Sequence, residues 1–356
     1  MGMRDIRCAP SRMALGVWVL FVGCSGAGAR ALSSASETPG GPSGAPGMPQ
    51  LVFTAPNIPM PTGAQELFTS DLDGGNLHQL TADGRPRFLP HFSPDGSRLI
   101  YSKFLAGGYG APRAVSVIAL YDFATGRETQ LTSGGVEIQA VWSPDGERIA
   151  YGTLTGQALW MMNADGSAAT LVGRPSGTPD DLRWDDFLWS RDNWLYFTVA
   201  QDSGGCFKVR TDRMRPSGAE RARISDGGPN CTPNGLQQSG DADPGISPDG
   251  TTIYSSRGLP RTVPGRPDET LRHLYRFSSA PFTPGKVETD LSGPAKPNCV
   301  AGVPKVSPGG RDIALYLNCP NDPRHAGVTL TDPSGMAYRF VETGFGADWN
   351  PTYPLP

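Results

Sequence analysis

Ala140-Val141-Trp142-Ser143-Pro144-Asp145-Gly146-Glu147-Arg148-Ile149-Ala150-Tyr151 reads as two short strands about a tight turn. Pro presets φ at the second turn position, Asp tolerates the third, and Gly takes the left-handed fourth. The flanking runs are β-branched or aromatic and too short for helices, so the stretch is a β-hairpin. The turn recurs as Ser93-Pro94-Asp95-Gly96 and Ser247-Pro248-Asp249-Gly250. It returns in altered form as Ser307-Pro308-Gly309-Gly310, Ser190-Arg191-Asp192-Asn193 and Asn350-Pro351. A motif repeated at a spacing of roughly 50 residues marks a repeat architecture.

A second signal follows each hairpin: another strand, a Gly turn, and a strand closing in Leu-Thr or a close variant. Leu120-Tyr121-Asp122, Thr125-Gly126 and Gln130-Leu131-Thr132 form one copy, and Leu274 to Phe277, Pro284-Gly285 and Leu291-Ser292 another. Each unit is thus four antiparallel strands, a propeller blade. Five complete blades run from about 88 to 341. The sixth is split: Ala347 to Pro351 supplies an innermost strand, and Leu51 through Thr81 supplies the other three. The expected fold is all-β: a six-bladed β-propeller over residues 51–356, closed by pairing of its N- and C-terminal segments. Closure removes exposed sheet edges.

The pattern of strand, Ser-Pro-Asp-Gly, Arg, Ile-Ala-Tyr, then Asp-Gly and Leu-Thr resembles the TolB-like β-propeller repeat of bacterial envelope proteins. The resemblance covers nearly all of 50–356. It implies a fold far more than a function, because propellers host scaffolds, binding proteins and enzymes alike. Trp184 to Trp194 departs from the pattern, with an extra Trp189 and no Pro-Asp-Gly.

The first 50 residues stand apart. Arg4, Arg7 and Arg12 precede an apolar stretch, Met13 to Gly23, too short to span a bilayer, so residues 1–23 read as a secretory signal peptide. Val22-Gly23-Cys24-Ser25 resembles a lipobox with Cys24 as the lipidated residue, while Ala27-Gly28-Ala29 suits ordinary signal peptidase. Residues 24–50 are Ser/Gly/Ala/Pro-rich and read as a flexible tether. The expected location is the periplasm or the outer membrane as a lipoprotein, with a freely secreted protein as the alternative. Beyond Cys8 and Cys24, four cysteines remain: Cys206, Cys231, Cys299 and Cys319. In an exported chain these suggest two disulfides. Of three possible pairings, Cys206–Cys231 and Cys299–Cys319 lie within or beside single blades.

The formal charge is −3, and losing residues 1–23 removes three Arg and one Asp to leave −5. No basic stripe appears, so nucleic acid is not an expected partner. Catalytic signatures are absent: there is no Gly-x-Ser-x-Gly, Walker sequence or His-Glu-x-x-His. No cofactor and no metal are expected. Long connections gather on one side of the disk: Phe104–Ala114, Gly173–Asp181, Asp226–Pro244, Arg257–Arg272, Gly293–Gly302 and Cys319–Gly327. Long loops on a rigid scaffold are where recognition is placed.

The same side opens on the channel mouth, where Arg87, Gln139, Asp180, Arg183, Asn298 and Lys305 lie near the inner strand starts. His91, Glu137, Asp181, Asp241, Asp243 and Asp348 are the candidate ligand residues there, although a wet channel holds polar groups without any ligand. The expected function is a monomeric, exported envelope module that binds a protein partner on its long-loop face, touching membrane only through the lipid anchor. The alternative is a carbohydrate-active, polysaccharide lyase-like or metal-dependent enzyme, or a small-ligand binder, working at the channel mouth.

Overall fold

Twenty-four strands and no helix occur among the described residues of the computed structural model. These are 49–56, 65–108, 111, 113–133, 135–153, 158–202, 207–227, 238–261, 269–293, 296–319 and 326–352. The signal-peptide and lipidation readings, including Cys24, fall outside them, as do Cys206 and Cys231.

The first unit of the repeat is an antiparallel sheet of Arg87–Phe92 (β4), Arg98–Ala106 (β5), Val115–Asp122 (β6) and Arg127–Gln130 (β7). The next is Glu137–Trp142 (β8), Arg148–Thr153 (β9), Leu159–Asn163 (β10) and Thr170–Gly173 (β11). Val300–Val306 (β20), Ile313–Asn318 (β21), Gly327–Thr331 (β22) and Tyr338–Glu342 (β23) repeat the plan. Phe345–Trp349 (β24) pairs antiparallel with Leu51–Pro56 (β1), which continues into Gln65–Ser70 (β2) and His78–Gln79 (β3).

Between these, Arg183–Trp189 (β12), Leu195–Asp202 (β13), Phe207–Met214 (β14) and Ala222–Arg223 (β15) share one sheet with Gln238–Ile246 (β16), Thr252–Arg261 (β17), Glu269–Ser278 (β18) and Glu288–Asp290 (β19). The join is a short parallel pairing of Phe207, Lys208 and Val209 with Gln238, Ser239 and Gly240. Strand β15 covers β14 only at Asp212 and Arg213, so the start of β16 takes up the uncovered half. Strands β4, β8, β12, β16, β20 and β24 touch one another in chain order, and β24 also touches β4.

The turn motif explains itself in hydrogen bonds. Ser93, Ser143 and Ser247 each donate a hydroxyl to the Asp two residues on at 2.5 Å, and Ser190 does so at 2.6 Å. The same hydroxyl accepts the N–H of Arg98, Arg148, Thr252 or Trp194 and locks the second strand to the turn. The Leu-Thr signature has a matching role. The hydroxyls of Thr81, Thr132, Ser225 and Ser292 accept the N–H of Leu67, Ile118, Thr211 and Leu274, extending the ladder beyond the short fourth strand.

Two expectations need correcting. Within Arg257–Arg272 the ends are strand and not loop: β17 and β18 pair in register as far as Arg261 opposite Glu269. Asp241 and Asp243 likewise lie inside β16 and not in a loop. In both places Gly and Pro (Gly240, Pro244, Gly258, Pro260) suggest breaks that the cross-strand pairing overrides.

The core lies between units. Val141, Ala150 and Leu159 of one sheet pack with Trp184, Phe187, Trp189 and Phe197 of the next. Leu51, Phe53 and Trp349 pack with Ala314, Val328 and Leu330 in the same way.

Candidate functional site

The strands that converge are irregular at one shared position. Leu89, Gln139, Asp186, Asp243, Val303 and Gly346 all have φ between 45° and 64°. Pairing slips there in each case, between Phe88/His91, Ile138/Ala140, Asp185/Leu188, Ala242/Gly245 and Gly302/Lys305, and between Val52/Thr54 opposite β24. This is a β-bulge with its extra residue in the left-handed region, a device that re-aims side chains. A non-Gly residue in that conformation costs about 1–3 kcal/mol, and five of the six positions carry one.

Two groups of charges gather along the bulged strands. His91 and Asp348 come together, with Nδ1 of the ring 3.4 Å from Oδ2. Asp348 Oδ2 also accepts the Phe92 N–H at 2.9 Å, and Lys305 Nζ lies 3.3 Å from His91 Nε2. Burial works against the Asp348 carboxylate, but His91, Lys305 and the Phe92 N–H outweigh it and hold the group below its ordinary range. The second group is Arg183, Asp185, Asp186 and Asp243. Arg183 Nε is 3.2 Å from Asp185 Oδ2, close for an ion pair but poorly aligned as a hydrogen bond. Burial pushes the Asp185 carboxyl up, opposed by Arg183 and reinforced by Asp243. The Asp186 carboxyl is pushed well above the usual range by burial, then by Asp243 and Asp185, against Arg183 and Arg272. A small cleft beside them is lined by Phe88, Leu89, Phe104, Ile138, Gln139 and the two aspartates.

The other sequence candidates sit elsewhere. Asp241 is fully buried and held by Arg257 at 2.7 and 2.8 Å. Asp181 accepts the Trp184 indole N–H at 2.6 Å and Arg221 at 2.9 Å. Both carboxylates are occupied as structural anchors. Glu137 stands apart, pushed up by burial, with one carboxylate oxygen buried and without a partner among the described residues. Asp243 takes a long 3.4 Å bond from the Val303 N–H. Among the described residues no three His, Cys, Asp or Glu side chains are grouped to hold a metal ion. Sequence reasoning did not single out Asp185 and Asp186. Their only signal was an Asp-Asp pair in a unit whose turn lacks Pro-Asp-Gly.

On the long-loop side, Cys299 and Cys319 form a disulfide that closes the β20–β21 hairpin. The segment leading into it is held by His273 of β18, whose ring bridges Asp290 Oδ2 at 2.9 Å and the Pro297 carbonyl at 3.3 Å.

No protein-family model matches the chain. It is 33% identical over 129 residues to a Protein TolB homolog of Chlorobium chlorochromatii, covering 36% of this chain and 27% of that protein. It is 33% identical over 109 residues to the Tol-Pal system protein TolB of Anaeromyxobacter dehalogenans, covering 30% and 24%. The chain thus spans about a quarter of the length of these relatives. In fold it is similar to TolB from Acinetobacter baumannii, with a TM-score of 0.59 at 16% identity over 85% of this chain and 66% of that one. A putative TolB from Agrobacterium tumefaciens gives 0.53 at 17% identity, over 76% and 87%. The repeat is therefore TolB-like in sequence and in fold.

Proposed function

We propose, from this TolB-like repeat, that the chain is a six-bladed propeller, residues 51–356, acting as a protein-binding module of the bacterial cell envelope. The antiparallel pairing of β24 with β1 would close the ring. The Anaeromyxobacter dehalogenans relative carries the name Tol-Pal system protein TolB, and an envelope protein assembly of that kind is the partner class proposed here. Residues 1–23 would direct export, and Cys24 with residues 24–50 would tether a monomeric propeller to the membrane. The periplasm or the periplasmic face of the outer membrane is the location this implies.

The observation that carries the reading is the combination of a TolB-like repeat with a pinned recognition side. Antiparallel alternation places the connections β11–β12, β19–β20 and β21–β22 on one side. There the Cys299–Cys319 disulfide and the His273–Asp290 contact fix the loop that carries Asn298. Loops held in one conformation bind at lower ordering cost. For the enzyme alternative, Asp181 and Asp241 offer no free carboxylate, because both are engaged by arginines.

Site-specific photo-crosslinkers test this. Exposed Arg174 and Asn298 lie on the proposed face, and exposed Glu147 and Thr251 on the other. In cells, a single envelope protein should crosslink from the first pair and not from the second. Equal crosslinking from both faces would sink the assignment. Intact mass of the native mature protein tests the anchor: a chain beginning at Cys24 with acyl groups supports it, and one beginning near Arg30 without lipid removes it.

A further inference from the structure

Strands β20, β24 and β4 adjoin, and they carry Lys305, Asp348 and His91 at one register level. Lys305 lies opposite Ala314, Asp348 opposite Val52, and His91 opposite Ile100, each pair one step inside the turn-side end of its ladder. The same level on β8, β12 and β16 holds Val141, Leu188 and Gly245. Titratable side chains therefore occur at this level on three consecutive strands, and their contacts run in series.

The series favours one arrangement of protons. With the Asp348 carboxylate 3.4 Å away, Nδ1 of His91 is the ring nitrogen better placed to carry the hydrogen. Nε2 is then the acceptor and presents its lone pair to the Lys305 amine 3.3 Å away. An amine beside a base that a carboxylate orients is the arrangement that activates a nucleophile. Other lysines differ. Lys103 is ion-paired with Asp83 at 3.0 Å and with Glu128, and Lys286 donates to the carbonyls of Ile224 and Ala280. Among the described residues Lys305 has no carboxylate at ion-pair distance, and its neighbour is a base able to take the proton.

We infer that Lys305 is a carbonyl-reactive amine, activated by His91 and positioned through it by Asp348, and that it forms an imine with a small aldehyde or ketone. Lysine amines react with carbonyl compounds in this way. The Lys305 ammonium passes a proton to His91 Nε2, and the free Nζ attacks the carbonyl carbon. The C=O π bond breaks, and a proton moves from nitrogen to the oxygen to give a carbinolamine. His91 returns its proton to the hydroxyl, which leaves as water, and loss of the remaining N–H proton completes the imine. One amine and one carbonyl compound give one imine and one water, with no oxidant or reductant. The electrostatics lower both groups, which eases loss of the Lys305 proton and keeps His91 neutral and ready to accept, though as a weaker base. Burial, then the positive charge of Lys305, holds the His91 imidazolium below its ordinary value against the pull of Asp348. Burial holds the Lys305 ammonium down as well, opposed by Asp348, Asp243 and Asp186, the carboxyls that face it.

The test uses the whole protein with propionaldehyde and sodium cyanoborohydride, which traps the imine as a secondary amine. The chain has five lysines, so Lys103, Lys208 and Lys296 are internal references, and Lys286, whose ammonium burial also holds down, is the control for burial without a neighbouring base. Peptide mass spectrometry at pH 7 should show Lys305 modified at least about tenfold faster than these, the factor that each unit of lowered amine pKa supplies. Its rate should level off at a lower pH than theirs. His91→Gln and Asp348→Asn should abolish the advantage and leave the other four rates unchanged. A Lys305 rate equal to or below the references overturns the inference. If neither variant folds, the wild-type pH profile decides: a Lys305 rate rising in parallel with the references up to about pH 10, the ordinary lysine range, overturns it as well.

Discussion

The Arg87 side chain donates to Glu66, Asp83, Glu128 and the Arg85 carbonyl. Its guanidinium is 2% exposed and meets Glu66, which is fully buried, at 2.7 Å and Glu128 at 2.8 Å. Glu66 takes further bonds from the Thr81 hydroxyl and the Gly84 N–H, but its counter-charge is Arg87. Arg87→Ala leaves that carboxylate buried without a cation, and a loss of about 3–5 kcal/mol is expected. Urea unfolding measures it, and a loss below about 1 kcal/mol would place the pair among ordinary surface contacts. Thr198 and Thr211 pose the opposite case. They face each other across β13 and β14, almost wholly buried, and neither hydroxyl has a partner among the described residues. Valine keeps the shape and removes a desolvated hydroxyl, so Thr198→Val and Thr211→Val should each stabilise by up to about 1 kcal/mol. A loss of that size instead would show that bound water satisfies the pair.

At the scale of the elements, the seams between units rest on the Gly of the outer turn. Gly335, between β22 and β23, has φ +72°, and a Cβ there would sit 2.5 Å from the Leu291 carbonyl oxygen of the preceding unit. Gly285, between β18 and β19, has φ +84° and open space around it. Gly285→Ala should therefore cost only the left-handed backbone term, about 1–2 kcal/mol. Gly335→Ala must also push two sheets apart and should cost clearly more. Similar losses for the two in thermal unfolding would mean that the seam yields freely. These turns, and the hairpins about Ser-Pro-Asp-Gly, were legible in the sequence because local chemistry alone specifies them. The bulges were not. Leu89 and Val303 have no intrinsic preference for positive φ, and only the pairing of neighbouring strands holds them there. Lys305, Asp348 and His91 were legible as channel-mouth residues, but their contact with one another was not, because they are distant in sequence and meet only when β20, β24 and β4 converge.

For the molecule as a whole, two sets of carboxyls set opposite limits on stability with pH. Asp95, Asp145 and Asp249 are held below the ordinary carboxylate range by the Ser hydroxyl of each turn, and Asp348 is lowered by His91 and Lys305 against burial. A depressed folded value gives stability that is present above the unfolded value, near about pH 4, and is lost as pH falls through the folded one. The proposed ring would therefore weaken at several turns together in acid. Asp185 and Asp186 run the other way, because burial raises both. A raised carboxyl costs nothing while both states are protonated, and its cost grows as pH rises from the unfolded value to the folded one. These two sets favour mildly acidic solution over neutrality, opposed by His91, whose lowered value costs stability as pH falls through the ordinary histidine range. Asp186→Asn keeps the shape of the protonated acid and removes the titration. Its gain in Tm should be larger at about pH 7 than at about pH 4, on either side of the rise in cost, read by calorimetry across that interval. Equal gains at both would mean that Asp186 already ionises at its ordinary pKa, with Arg183 and Arg272 compensating its charge.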